Sequence, residues 1–131
     1  MPPAKVKQRS AQDSDALSTA GQNPLFRAAM TVPLAPADCT SMTEVRAGVD
    51  ALDAELVALL VRRFGYMDAA ARIKTARGTV RDEARKAEVL AHVARLGAAA
   101  GLDAGRLIAV WDELVEQSIA HELAQWDTLR A

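Results

Sequence analysis

Arg63 and Lys74 stand where a helix should carry apolar residues. From Ser41 to about Thr75, the residues Val49, Leu52, Leu56, Leu59, Leu60, Met67 and Ala70 recur at the three-and-four spacing of one helix face. At ~100° per residue, Arg63 falls about 20° from Leu56, and Lys74 about 20° from Arg63. A guanidinium and an ammonium among leucines are costly unless something anionic meets them. The stripe is therefore a candidate site for an acidic small molecule. The two cations are ~16 Å apart along the axis, so two long side chains leaning together can hold one small anion. Arg46 lies ~25 Å from Arg63 and points to another azimuth. It does not easily reach the same ligand within one protomer, but in an antiparallel dimer it reaches the partner's site. The plain alternative is that these cations are solvated or paired with Asp50, Asp53 and Glu55.

A second polar interruption follows further on. Ser118 and Glu122 are four apart and share a face with Leu107, Trp111 and Leu114. Glutamate is rarely buried without a partner. Glu122 either forms a structural ion pair with Lys74 or Arg63, or faces a ligand as a donor when protonated. Arg85 precedes an apolar face and is a candidate fourth cation. His92 and His121 have no Cys or second His at ligand spacing, so no metal is assigned. No glycine-rich loop suggests a phosphate cradle or other cofactor site, and no serine has a recognisable His and carboxylate. Trp111 and Trp126 read as packing residues.

The elements that must position these groups are helical. The chain has 131 residues, enough for one domain, with half of them apolar, five aromatic and a net charge of −1. Nothing in that balance suggests nucleic-acid or membrane attraction through bulk charge. The single cysteine, Cys39, fits a reducing compartment, and no apolar run approaches a membrane span, so a cytoplasmic location is expected. Residues 1–35 hold four of the five prolines and no periodicity. They read as a disordered leader, or as sequence upstream of a true start at Met30. Residues 36–131 form the domain. Ser41 to Glu44 matches a capping box opening helix one, which is broken at Arg77-Gly78-Thr79-Val80. Asp82 can cap helix two, with Arg85, Val89, Val93 and Leu96 on one face and an end between Gly97 and Gly101. Asp103 can cap helix three, from about Ala104 to Leu129. Roughly 34 residues of helix one span about 50 Å, too long for a globule of that size. An intertwined homodimer covers the overhanging stripe economically; a monomeric three-helix bundle is the alternative.

These residues together resemble the all-helical class of chorismate mutases: Arg46, Arg63, Lys74, Val80-Arg81-Asp82 with Arg85, then Ser118 and position 122. The stretch Asp38-Cys39-Thr40 leading to Arg46, and Arg62-Arg63 with Tyr66, resembles the related isochorismate-pyruvate lyases of salicylate biosynthesis. The resemblance covers about residues 36 to 130. It implies that Arg63, with Arg46 from the partner chain, clamps two substrate carboxylates. Lys74 would contact the ether oxygen and a carboxylate, and Glu122 the ether oxygen whose C–O bond breaks. Arg85 and Ser118 would orient the substrate, and Asp82 would lie near the ring hydroxyl. It further implies conversion of chorismate to prephenate in aromatic amino acid biosynthesis without a cofactor.

Two positions depart from the family. Glutamine is common at the ether-oxygen position, whereas Glu122 donates there only when protonated. Many mutases have Glu at position 86 and the lyases an apolar residue; this chain has Lys86. The alternatives to a mutase are therefore a lyase giving salicylate and pyruvate, and a non-catalytic dimerisation or metabolite-sensing module.

Overall fold

The computed structural model describes residues 32–131. The expected leader and the alternative start at Met30 lie outside the described residues, except for 32–35. A 3₁₀ turn at Pro36–Asp38 is followed by three helices, α1 (Met42–Ile73), α2 (Glu83–Ala99) and α3 (Ala104–Leu129). A second 3₁₀ turn, Arg77–Thr79, separates α1 from α2. The described residues are all-α, as the periodicity predicts.

Each helix end has a chemical cause. Ser41 Oγ accepts from Glu44 N at 3.2 Å, the first half of the expected capping box. The reciprocal bond is shifted by one residue: Glu44 Oε1 accepts from Thr40 N at 3.2 Å and from Ser41 Oγ at 2.9 Å. Those donors, Ser41 foremost, hold the Glu44 carboxyl below its ordinary value. Asp82 caps α2 by accepting from Arg85 N at 3.0 Å, and Asp103 caps α3 through Gly105 N at 2.9 Å. The end of α2 is a Schellman turn. Leu102 N donates to Gly97 O and Gly101 N to Ala98 O, while Gly101 takes φ +80°. A side chain there would meet the left-handed penalty, which is why glycine stops this helix.

Of the described residues, those up to Val57 form one compact unit and Ala58–Ala131 another, the division falling inside α1. In the first unit, Pro33, Leu34 and Cys39 line an apolar hollow with Val45, Val49 and Leu52 of α1. Those three α1 residues nevertheless remain exposed, as do Leu56 and Leu59 further along the helix. In the second unit α2 packs on α3. Its core is Val80, Val115 and Ile119, flanked by Val89, Leu123 and Trp126. Among the described residues only Ala71, Val80, Val93, Val115 and Ile119 are buried apolar side chains. So small a core leaves much of the apolar surface of a chain this size in water. No described helix is long and apolar enough to cross a membrane.

Candidate active site

The second unit holds a cavity of about 330 Å³ whose lining includes Arg63, Lys74, Arg85 and Lys86 together with Asp82 and Glu122. Met67, Val89, Val115 and Ile119 supply apolar walls. Apolar walls with convergent charged groups, in a volume at the low end of the usual range, fit a site for a small charged molecule. Six of the seven residues that the sequence singled out line this one cavity. Arg46 belongs to the other unit and is described by its place in α1 alone.

Of the four cations that line the cavity, Arg63 is the one without a carboxylate partner among the described residues. Its Nη1 donates to Ser118 Oγ at 2.6 Å, and Ser118 in turn donates to Leu114 O at 2.6 Å. Serine is neutral, and among the described residues no carboxylate lies within ion-pair reach of Arg63. Burial first, and then the charge of Arg85, lower the Arg63 pKa from its ordinary value. Burial and a neighbouring cation both disfavour the charged guanidinium, so an anionic partner there would relieve the cost.

Lys74 and Glu122 meet, as one of the two sequence readings expects. The Nζ–Oε1 distance is 2.8 Å, with the Glu122 side chain 4 % exposed and that of Lys74 30 %. Yet Glu122 Oε1 has no partner in hydrogen-bonding geometry. The contact is therefore a close approach of ammonium and carboxylate without hydrogen-bond alignment. The ammonium also approaches Val80 O at 3.4 Å. A buried carboxylate oxygen without an aligned donor is costly, and the nearby ammonium offsets part of that cost.

Arg85 sits at the rim, its side chain largely exposed and its Nη1 3.2 Å from Glu88. Asp82 spends one oxygen on the α2 cap while lining the cavity. Lys86 is held by α3, with Nζ 2.7 Å from Glu116 and 2.9 Å from Asp112. Those carboxylates raise its pKa, the Glu116 hydrogen bond most. Arg81 grips Glu116 through two nitrogens, at 3.1 and 2.7 Å, and also meets Glu83 at 2.9 Å. Arg81 and then Lys86 hold the Glu116 carboxyl at about 2. Lys86 is thus charge-compensated from α3, unlike Arg63.

Sequence reasoning missed how α3 treats the end of α1. Trp126 is not merely packing: its Nε1 donates to Lys74 O at 3.0 Å. Arg130 donates to the same carbonyl at 2.6 Å and to Ala71 O at 3.0 Å. The signal was present as the four-residue spacing Ser118, Glu122, Trp126, Arg130. An exposed contact, His121 Nε2 to Asp68 Oδ1 at 2.6 Å, ties α3 to α1 on another face.

Two comparisons with known proteins bear on the family of this chain. Residues 45–123 match the family model described as chorismate mutase type II. The chain is also 30% identical, over 95 residues, to an isochorismate pyruvate lyase of Pseudomonas aeruginosa, covering 72% of this chain and 94% of that protein. The matched span runs from the start of α1 to the Glu122 turn of α3 and contains every one of the seven candidate residues. With an all-helical fold, a cation-lined cavity and a family match over more than half its length, this chain belongs to the chorismate mutase type II family.

Proposed function

We propose that the protein is a chorismate mutase, rearranging chorismate to prephenate on the route to aromatic amino acids, and that it works as an intertwined homodimer. The observation that carries this reading is the half-buried Arg63, lacking any carboxylate partner among the described residues, in one cavity with the Lys74–Glu122 pair. A dianion supplies the charge that Arg63 lacks, and a planar guanidinium suits a carboxylate bidentately. Arg46 of a second copy meets the other carboxylate. The exposed Val45, Val49, Leu52, Leu56 and Leu59 along α1 support a second copy, because it would bury a stripe that one chain leaves in water.

The reaction is pericyclic: one C–O bond breaks as one C–C bond forms, with no nucleophile and no net proton transfer. The protein's work is to fold the enolpyruvyl arm over the ring and hold the reacting carbons near contact. Negative charge grows on the ether oxygen as the bond breaks. Lys74 stabilises that oxygen more than the ground state, and Glu122 joins it when protonated. Ser118 and Arg85 orient the substrate, and Asp82 lies near the ring hydroxyl.

A second reading, a lyase giving salicylate and pyruvate from isochorismate, is favoured by the similarity to a lyase over nearly that protein's whole length. Incubating the full chain with each compound and identifying products by NMR tests both. Prephenate from chorismate is the expected result. Salicylate and pyruvate from isochorismate, without prephenate from chorismate, would replace the first reading by the second. No product from either would leave a metabolite-sensing module.

A further inference from the structure

Ser118, Glu122 and Trp126 of α3, with Arg130 just past its end, stand at successive four-residue steps and face Arg63 of α1 and Lys74, the residue that follows α1. Ser118 meets Arg63, Glu122 meets the Lys74 ammonium, and Trp126 and Arg130 both reach the Lys74 carbonyl. Residues four apart lie one above another on a helix. A single stripe of α3 therefore grips Lys74 at both ends, its charge from one rung and its backbone from the next two.

The backbone grip falls at a weak point. Lys74 N donates to Ala70 O at 2.8 Å, the last bond of the α1 ladder. The final carbonyls of a helix have no partner within it and carry its negative dipole end. Arg130 places a cation there and serves two of these carbonyls, Ala71 O and Lys74 O, at 3.0 and 2.6 Å. Its guanidinium is itself seated 4.2 Å from the centre of the Trp126 ring. Beyond Lys74 the chain leaves the helix, so without these donors the residue bearing the ammonium sits on a fraying turn.

We infer that Trp126 and Arg130 are positioning residues for Lys74: they fix its backbone so that the ammonium stays against Glu122 in the cavity. The effect on turnover rests on the mutase or lyase reading of Lys74, whereas the effect on the side chain's mobility does not. The test uses the full chain with Arg130→Met and Trp126→Phe. Arg77→Met serves as control, because it breaks a two-bond ion pair with Asp127 on the same end of α3 without touching Lys74.

Two readouts are needed. On whichever substrate the wild type turns over, Arg130→Met and Trp126→Phe lower kcat about tenfold with KM within about twofold, Arg130→Lys recovers part of the loss, and Arg77→Met leaves kcat unchanged. Separately, reductive methylation with peptide mass spectrometry shows Lys74 labelled about threefold faster or more in Arg130→Met and Trp126→Phe than in Arg77→Met. Equal labelling in the two kinds of variant, or a kcat loss that only follows the fall in melting temperature, overturns the inference while leaving the function intact. Faster labelling in a wild-type background that turns over neither substrate keeps the inference and removes the function.

Discussion

Arg63→Met should separate binding from stability. Methionine keeps an unbranched stem of similar reach but removes the charge. The fold then loses the 2.6 Å bond to Ser118, worth about 1 kcal/mol net. Ser118 keeps its own donation to Leu114 O, so no buried hydroxyl is orphaned. Against that loss, the chain is relieved of a half-buried cation that lies near Arg85 and has no described anionic partner. The two effects oppose each other, and the melting temperature should shift by less than about 5 °C, since 1 kcal/mol moves a domain this size by roughly 4–8 °C. Activity should behave otherwise. A substrate carboxylate brought into the cavity without its guanidinium loses about 3 kcal/mol, within the 2–5 kcal/mol cost of truncating a desolvated charge pair. That is roughly a hundredfold in kcat/KM. Steady-state kinetics and a thermal melt on the same preparation measure both. A fall above about 10 °C in the melt, or an unchanged kcat/KM, would refute the proposed role of Arg63 in binding a substrate carboxylate.

Glu122→Gln replaces an acceptor that must be protonated to donate by an amide that donates at any pH. At one fixed pH the variant's kcat should exceed that of the wild type by about tenfold or more if an ionised Glu122 withholds a donor from the ether oxygen; equal kcat values would remove Glu122 from the chemistry. Glu116→Gln should act on acid stability instead. The folded carboxyl is held at about 2 against an ordinary value of 4.5, so its contribution is present above 4.5 and is lost as pH falls through about 2. Denaturant titrations across that window should show a shallower loss in the variant, and parallel curves would deny the network that role. Gly101→Ala should cost about 1 kcal/mol in stability, because alanine must adopt φ +80° there, and leave kcat unchanged.

Helix positions were legible because they depend on local chemistry. Asp82, Asp103 and the glycine pair around Gly101 act within a few residues, and the observed ends fall within two residues of the expected ones. The cluster of Arg63, Lys74, Ser118 and Glu122 was legible for a related reason: polar groups in apolar stripes mark where helices face one another. What sequence left open concerns partners chosen between helices. Whether Glu122 pairs with Lys74 or Arg63 depends on the register of α3 against α1, which periodicity does not fix. Lys86 matched neither family pattern; the structure ties it to Asp112 and Glu116, an arrangement set by the packing of α2 on α3. Trp126 reads as packing in the sequence because an indole N–H has no sequence signature for a distant carbonyl.

In the proposed dimer each cavity's own cations are completed by Arg46 from another copy of the chain, and a mixing experiment reaches that point directly. Arg46→Met and Arg63→Met are purified separately, each with little activity, then mixed under conditions that let subunits exchange. In a mixed dimer one site keeps Arg63 from its own chain and Arg46 from its partner, so random exchange should restore about a quarter of wild-type kcat/KM. Activity no greater than the sum of the two separate preparations, with exchange verified by mass spectrometry, would contradict the shared site.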